Sequence, residues 1–178
     1  MTHELMLEKK AQPVRVYLAD GRVIPVTIFL VTEAEGPVSG RIVAETVEES
    51  VPVLPCRTEQ GQFLCIGTQT IAAVSVSARD TWDEGFFLLR KCRVTLRGGH
   101  VFDGFVRHFL GTGDRLSDAF RRADDWIQLE VASEVVWFRV EKLLTAEELE
   151  PGPDTLAEEF EDDLPDGIRS LEGEAPQL

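Results

Sequence analysis

The chain holds no apolar run close to the roughly 20 residues that span a bilayer as a helix. It is also poor in cysteine, with Cys56, Cys65 and Cys92 only. They form no Cys-x-x-Cys pair, and with His3, His100 and His108 they give no zinc-ligand spacing. Three thiols cannot all pair, so we expect buried reduced cysteines and no disulfide framework. The opening Met-Thr-His-Glu-Leu-Met-Leu-Glu-Lys-Lys mixes acids with apolar residues and has no small-residue cleavage site. It does not read as a secretory signal, and a cytoplasmic location is the expectation. No phosphate-cradling glycine loop with lysine, no Gly-x-Ser-x-Gly and no His-Glu-x-x-His occurs. No catalytic residue, metal ligand, cofactor site or enzymatic activity is expected.

Charge of one sign is in short supply too. Against 32 acids stand 18 lysines and arginines, a net charge of −14. The deficit is local. From Thr145 to Leu178 there are 12 acids and one base, Arg169. The segment 90–122 inverts the balance, with eight lysines and arginines against three aspartates. The overall sign argues against general nucleic-acid binding, which needs a positive footprint for phosphate.

What is present is a pattern written twice. Residues 14–24 read Val-Arg-Val-Tyr-Leu-Ala-Asp-Gly-Arg-Val-Ile, and residues 92–102 read Cys-Arg-Val-Thr-Leu-Arg-Gly-Gly-His-Val-Phe. Arg15/Arg93, Val16/Val94, Leu18/Leu96, Gly21/Gly99 and Val23/Val101 are identical. In both, apolar residues alternate with polar ones, the period of a half-buried strand. In both, a glycine supplies the positive φ of a hairpin turn. Residues 23–31 read as a returning strand that Pro25 confines to a sheet edge or a bulge. Such an edge strand gives a route to a homodimer. Further short strands are expected at 51–55, 62–67 and 70–76, then 86–96, 101–109, 126–129 and 135–140. Leu116, Ala119, Phe120 and Ala123 fall on one face of a short helix, capped by Asp114 or Ser117. The corresponding stretch of the first repeat, around Val38 to Val43, follows Pro37, and there we expect the helix to be weak or absent.

The expected fold is thus mainly β: two tandem β-barrel-like or β-sheet modules, with a short helix in the second. The boundaries read as an N-terminal lead at 1–13, a first module at 14–76, a connector at 77–91 that includes the start of the next strand, a second module at 92–144, and an acidic tail at 145–178. Within the tail, Pro151-Gly-Pro153 breaks the chain, and Thr155-Leu-Ala-Glu158 has the form of a capping box. Leu156, Phe160 and Leu164 then recur every four residues among acids. A helix of about ten residues is marginal alone in water, so its apolar stripe needs a cover. That is the layout of a helix that docks in a groove, on a partner or on the body of this same chain.

Arg115-Leu-Ser-Asp118 followed by Trp126-Ile-Gln-Leu129, after a strand–glycine–strand opening, resembles a family of small bacterial β-domains with no assigned activity. The resemblance covers residues 92–144 and only faintly 14–76. It implies a β-rich, Sm-like or barrel-like module, with Ser117 and Asp118 holding the strand–helix corner.

Candidate binding residues follow from these patterns. Lys91, Arg93 and Arg97 project from one face of a strand, and Arg121 and Arg122 lie on the short helix. Together with Leu156, Phe160 and Leu164 they make an adaptor or scaffold that binds a protein partner the leading expectation. The alternative is a regulatory protein holding a small anion on the basic face, assisted by His100. His100 and His108 flank the returning strand and point to one face of it, where they read more simply as ordinary surface groups, and Asp124-Asp125 reads more simply as a solvated turn.

Overall fold

In the computed structural model, residues 9–31, 40–77, 87–109, 115–121, 126–132 and 134–149 are described. Ten strands run β1 (Lys9–Leu18), β2 (Val23–Val31), β3 (Val53–Thr58), β4 (Phe63–Gly67), β5 (Ile71–Val76), β6 (Phe87–Leu96), β7 (Val101–Phe109), β8 (Trp126–Val131), β9 (Glu134–Arg139) and β10 (Leu143–Glu148). Helix α1 (Gly40–Glu49) joins β2 to β3, and α2 (Leu116–Arg121) lies between β7 and β8. All ten strands form one antiparallel sheet in the order β10-β6-β7-β8-β9-β5-β1-β2-β3-β4.

The order of β5-β1-β2-β3-β4 recurs as β10-β6-β7-β8-β9. The pairing registers correspond as well. Val16 pairs with Ile24 and Val74, and Val94 pairs with Phe102 and Ala146. Ile28 pairs with Cys56, and Val106 with Leu129. Cys56 then pairs with Leu64, and Leu129 with Val136. In each half a 3-10 turn leads into the last strand, Thr68–Thr70 before β5 and Val140–Lys142 before β10. Just beyond it the ladder shifts register, leaving Ala72 unpaired against β1 and Leu144 unpaired against β6.

The hairpin turns match bond for bond. Leu18 N–H donates to Arg22 O and Gly21 N–H to Leu18 O, as Leu96 N–H does to His100 O and Gly99 N–H to Leu96 O. Gly21 and Gly99 both adopt positive φ, which explains why glycine stands at each.

The core is two clusters sharing a seam. One is built on Val16, Ile28, Leu30, Leu54, Val74 and Val76, and takes in Trp126 and Val135. The other is built on Val94, Leu96, Leu129, Val136 and Phe138, and takes in Tyr17, Ala72 and Ala73. The seam is the β5–β9 ladder, from Ala73↔Phe138 to Val76↔Val135. β5 gives Ile71, Val74 and Val76 to the first cluster and Ala72 and Ala73 to the second, and every residue of that strand is buried.

Two expectations are corrected. First, α1 is present and, at ten residues, is longer than α2 with six. Gly40, Val43, Ala44 and Val47 form its buried stripe, the i, i+3, i+4, i+7 spacing of an amphipathic helix. A methyl group at Gly40 would overlap the Trp137 indole, so glycine permits the helix to sit close on the seam. Second, β2 is an interior strand between β1 and β3. Pro25 is tolerated because β3 pairs only with Val26–Ile28 and has ended at its level. Pro13 likewise lies beyond the stretch of β1 paired with β5. Among the described strands the edges of the sheet are β4 and β10, and β10 carries the ladder through Glu148, into the segment that reads as tail by composition.

Candidate functional site

β6 buries Cys92, Val94 and Leu96 and exposes Arg93, while Lys91 and Thr95 are half-buried; Arg97, expected on this strand, lies in the turn just past its end and is exposed. The basic face is not an open row of cations, however. Arg93 donates twice to the carboxylate of Asp103, directly opposite on β7, at 2.7 Å each. The guanidinium bonds, reinforced by its charge, hold Asp103 below the usual carboxylate range. Arg90 reaches Glu148 on β10 at 2.9 Å, and Arg107 reaches Glu130 on β8 at 2.6 Å. Lys91 lies 6.0 Å from the Phe105 ring centre. The strands flanking β6 and β7 thus supply acids to the bases, and an anion docking here would compete with intramolecular carboxylates. Arg97 and Arg121 are exposed, Arg121 at the end of α2. Arg122, Leu156, Phe160, Leu164, His3, Asp114, Ala123, Asp124 and Asp125 lie outside the described residues.

His100 takes a structural part. Its Nε2–H donates to Leu18 O at 2.7 Å, and its ring meets Tyr17 edge to face at 5.3 Å. It stitches the second hairpin turn to the end of β1, and its Nε2 is thereby committed. The turns themselves touch: a methyl on Gly98 would lie 2.6 Å from Leu18 O. At the other corner, the Asp118 carboxylate accepts from Arg115 N–H at 3.3 Å. This is the backward half of a capping box, so Asp118 holds the start of α2 while Ser117 is exposed.

Burial pushes the Cys92 thiol up to about 11, with Glu148 adding to the effect. Burial raises Cys56 as well, and its Sγ–H lies 3.3 Å from Leu64 O. Cys65, expected to be buried like the other two, is instead exposed on β4, where its side chain falls on the outer phase of the strand. Among the described residues no three His, Cys, Asp or Glu side chains gather as a metal site. A shallow depression of about 250 Å³ lies between Pro13, Pro25, Ser75 and Glu134, where the prolines interrupt the ladders.

Sequence reasoning missed two features. The cross-strand neighbours Trp126/Arg139 and Gln128/Trp137 share one face of β8–β9. Their buried Nε1, Nε, Nε2 and Nε1 donors have no acceptor among the described residues. Arg139 lies over the Trp126 ring at 5.1 Å. The second feature is the pair of free edges, which carry exposed large apolar side chains, Phe63 on β4 and Leu144 on β10. The apolar character of both was legible, but their edge position was not, because alternation does not reveal which strand lies alongside.

No protein-family model, no curated protein and no solved structure matches this chain.

Proposed function

We propose that the chain is a non-enzymatic adaptor or scaffold. Two small Sm-like or barrel-like modules, descended from one β-unit, form its frame. The acidic C-terminal motif of Leu156, Phe160 and Leu164 engages a protein partner in the cytoplasm. One observation carries this reading: among the described residues the ten-stranded sheet ends in two edge strands without a further partner strand, with apolar residues exposed on both. Sheet edges offer unpaired main-chain groups, and exposed apolar side chains beside them favour strand addition by another polypeptide. The recurrence of strand order, registers, bulges and turn bonds supports the duplication. Since Arg93 is already engaged with Asp103, the basic face serves better to hold strands together than to capture a small anion.

The test is affinity capture from the native host with the full chain, a chain lacking residues 151–178, and the Leu156→Ala/Phe160→Ala/Leu164→Ala variant. The expected result is a stoichiometric protein partner held by the full chain and lost from both variants. Identical capture profiles for all three would refute the role of the tail.

A further inference from the structure

We propose that the outer face of β1–β4 is the seat of this chain's own acidic segment, Thr155 to Leu164, docked as an amphipathic helix through Leu156, Phe160 and Leu164. This rests on the reading of that segment as a binding motif given above.

Strand phase defines the face. Val16, Ile28, Leu54 and Ile66 turn into the first core. Their sequence neighbours turn outward, and the pairs Pro13↔Thr27, Thr27↔Arg57 and Arg57↔Phe63 make one row across all four strands. Pro13, Pro25, Val31, Val53, Pro55 and Phe63 on this face are exposed. Of the seven exposed large apolar side chains among the described residues, Val23, Val31, Val53 and Phe63 belong to it. Apolar side chains grouped in this way mark an interaction surface, whereas single ones do not.

Its charge says what covers it. Strands β1–β4 contain no aspartate or glutamate, while Lys9, Arg15 and Arg57 are exposed on the outward phase. The second half differs at the same register positions. There Arg93 meets Asp103 and Arg107 meets Glu130. Ile24 corresponds to Phe102 and Cys56 to Leu129. The first half therefore has Pro25 where Asp103 stands, and Arg57 where Glu130 stands. The second half answers its outward cations with acids from its own strands; the first half has none on its strands to offer. Arg15 instead reaches Glu134 of β9 at a longer 3.4 Å, and Arg57 lies 5.5 Å from the Phe29 ring centre.

The acidic segment is the complement. Between Leu156, Phe160 and Leu164 stand Glu158, Glu159, Glu161, Asp162 and Asp163. Helical spacing puts the three apolar residues on one stripe with carboxylates beside it. The stripe meets the valines and prolines, and the carboxylates meet Lys9, Arg15 and Arg57. The depression of about 250 Å³ between Pro13 and Pro25 takes the ring of Phe160. Two acids also line it, Glu59 in the β3–β4 turn and Glu134, and the second of these is engaged by Arg15.

The chain leaves β10 on the right side. Tyr17 of β1 and Ala73 of β5 share the outward phase of the first half, yet they belong to the second core, against which Ala146 of β10 packs. The second core and β10 thus lie on the same side of the sheet as the face. Leu149 and Leu156 are seven residues apart, which extended reaches up to about 25 Å, or about five strands at about 4.8 Å each. Docking is therefore intramolecular, and the segment leaves the face when a partner takes the same three apolar residues.

The test places a nitroxide on Ser170→Cys in a full chain that also carries Cys65→Ser, and maps the broadening of body amides by NMR. The expected result is broadening on the outer face of β1–β4 that is unchanged on dilution. It falls at least about threefold in Leu156→Ala/Phe160→Ala/Leu164→Ala. It falls as much in Pro25→Asp/Arg57→Glu, which gives this face the acids that the second half carries, while amide shifts away from the face stay those of the parent chain. A mixture of nitroxide-bearing chain with isotope-labelled chain lacking the nitroxide shows none. Broadening centred on Lys91 and Arg93, broadening that survives either set of substitutions, broadening in the mixture, or none at all would overturn the proposal. Partner capture separates the two readings: Pro25→Asp/Arg57→Glu leaves the acidic motif intact, so tail-dependent capture without broadening defeats the docking alone.

Discussion

At the scale of single residues, the second hairpin turn bears more than its sequence suggests. His100 fills a turn position, yet it donates across the seam to Leu18 O. Removing the donor leaves a partly buried carbonyl short of a partner, and His100→Ala should destabilise the fold by about 1 kcal/mol, read as a lower urea midpoint at unchanged m-value. Gly98→Ala should cost more, because φ is +92° and the new methyl would press on Leu18 O. The thiols divide by environment. Cys65 should alkylate in the native protein, while Cys56 and Cys92 react only on unfolding, as peptide mass spectrometry would show. Cys92 also sets a pH dependence. Its folded value, about 11, lies above the ordinary thiol value of 9.0. Its contribution to stability is therefore full below 9.0 and is lost as pH rises toward about 11. The unfolding free energy of the wild type should fall more steeply with pH than that of Cys92→Val across that window, and parallel curves would contradict the assignment.

At the scale of elements, the strand phase of β1 and β6 and both glycine turns were legible. Alternation fixes which side chains face the core, and positive φ selects glycine. Helix α1 was not legible because residues 38–43, which follow Pro37, lack the Leu-Ser-Asp pattern that marks the start of α2. Its own stripe of Val43, Ala44 and Val47 was present in the sequence, but the small residues carry weak signal and only the close approach at Gly40 gives them a partner. Val43→Ala or Val47→Ala removes a fully buried side chain beneath the seam. Each should destabilise by about 2 kcal/mol, measured by urea titration. Pro25 misled for a related reason. Proline forbids a ladder bond on one side at one residue, and β3 stops short of that residue. A proline therefore reports on the length of the neighbouring strand as much as on the position of its own. The basic face was legible as residues and not as chemistry, since Asp103, Glu130 and Glu148 come from three other strands.

At the scale of the whole molecule, two halves with matching registers meet in one seam whose strands belong to both cores. Amide hydrogen exchange, followed residue by residue, tests this most directly. The account predicts that β5 and β9 are protected together, to the limit of global unfolding. Opening of one of these strands independently of the other would contradict it.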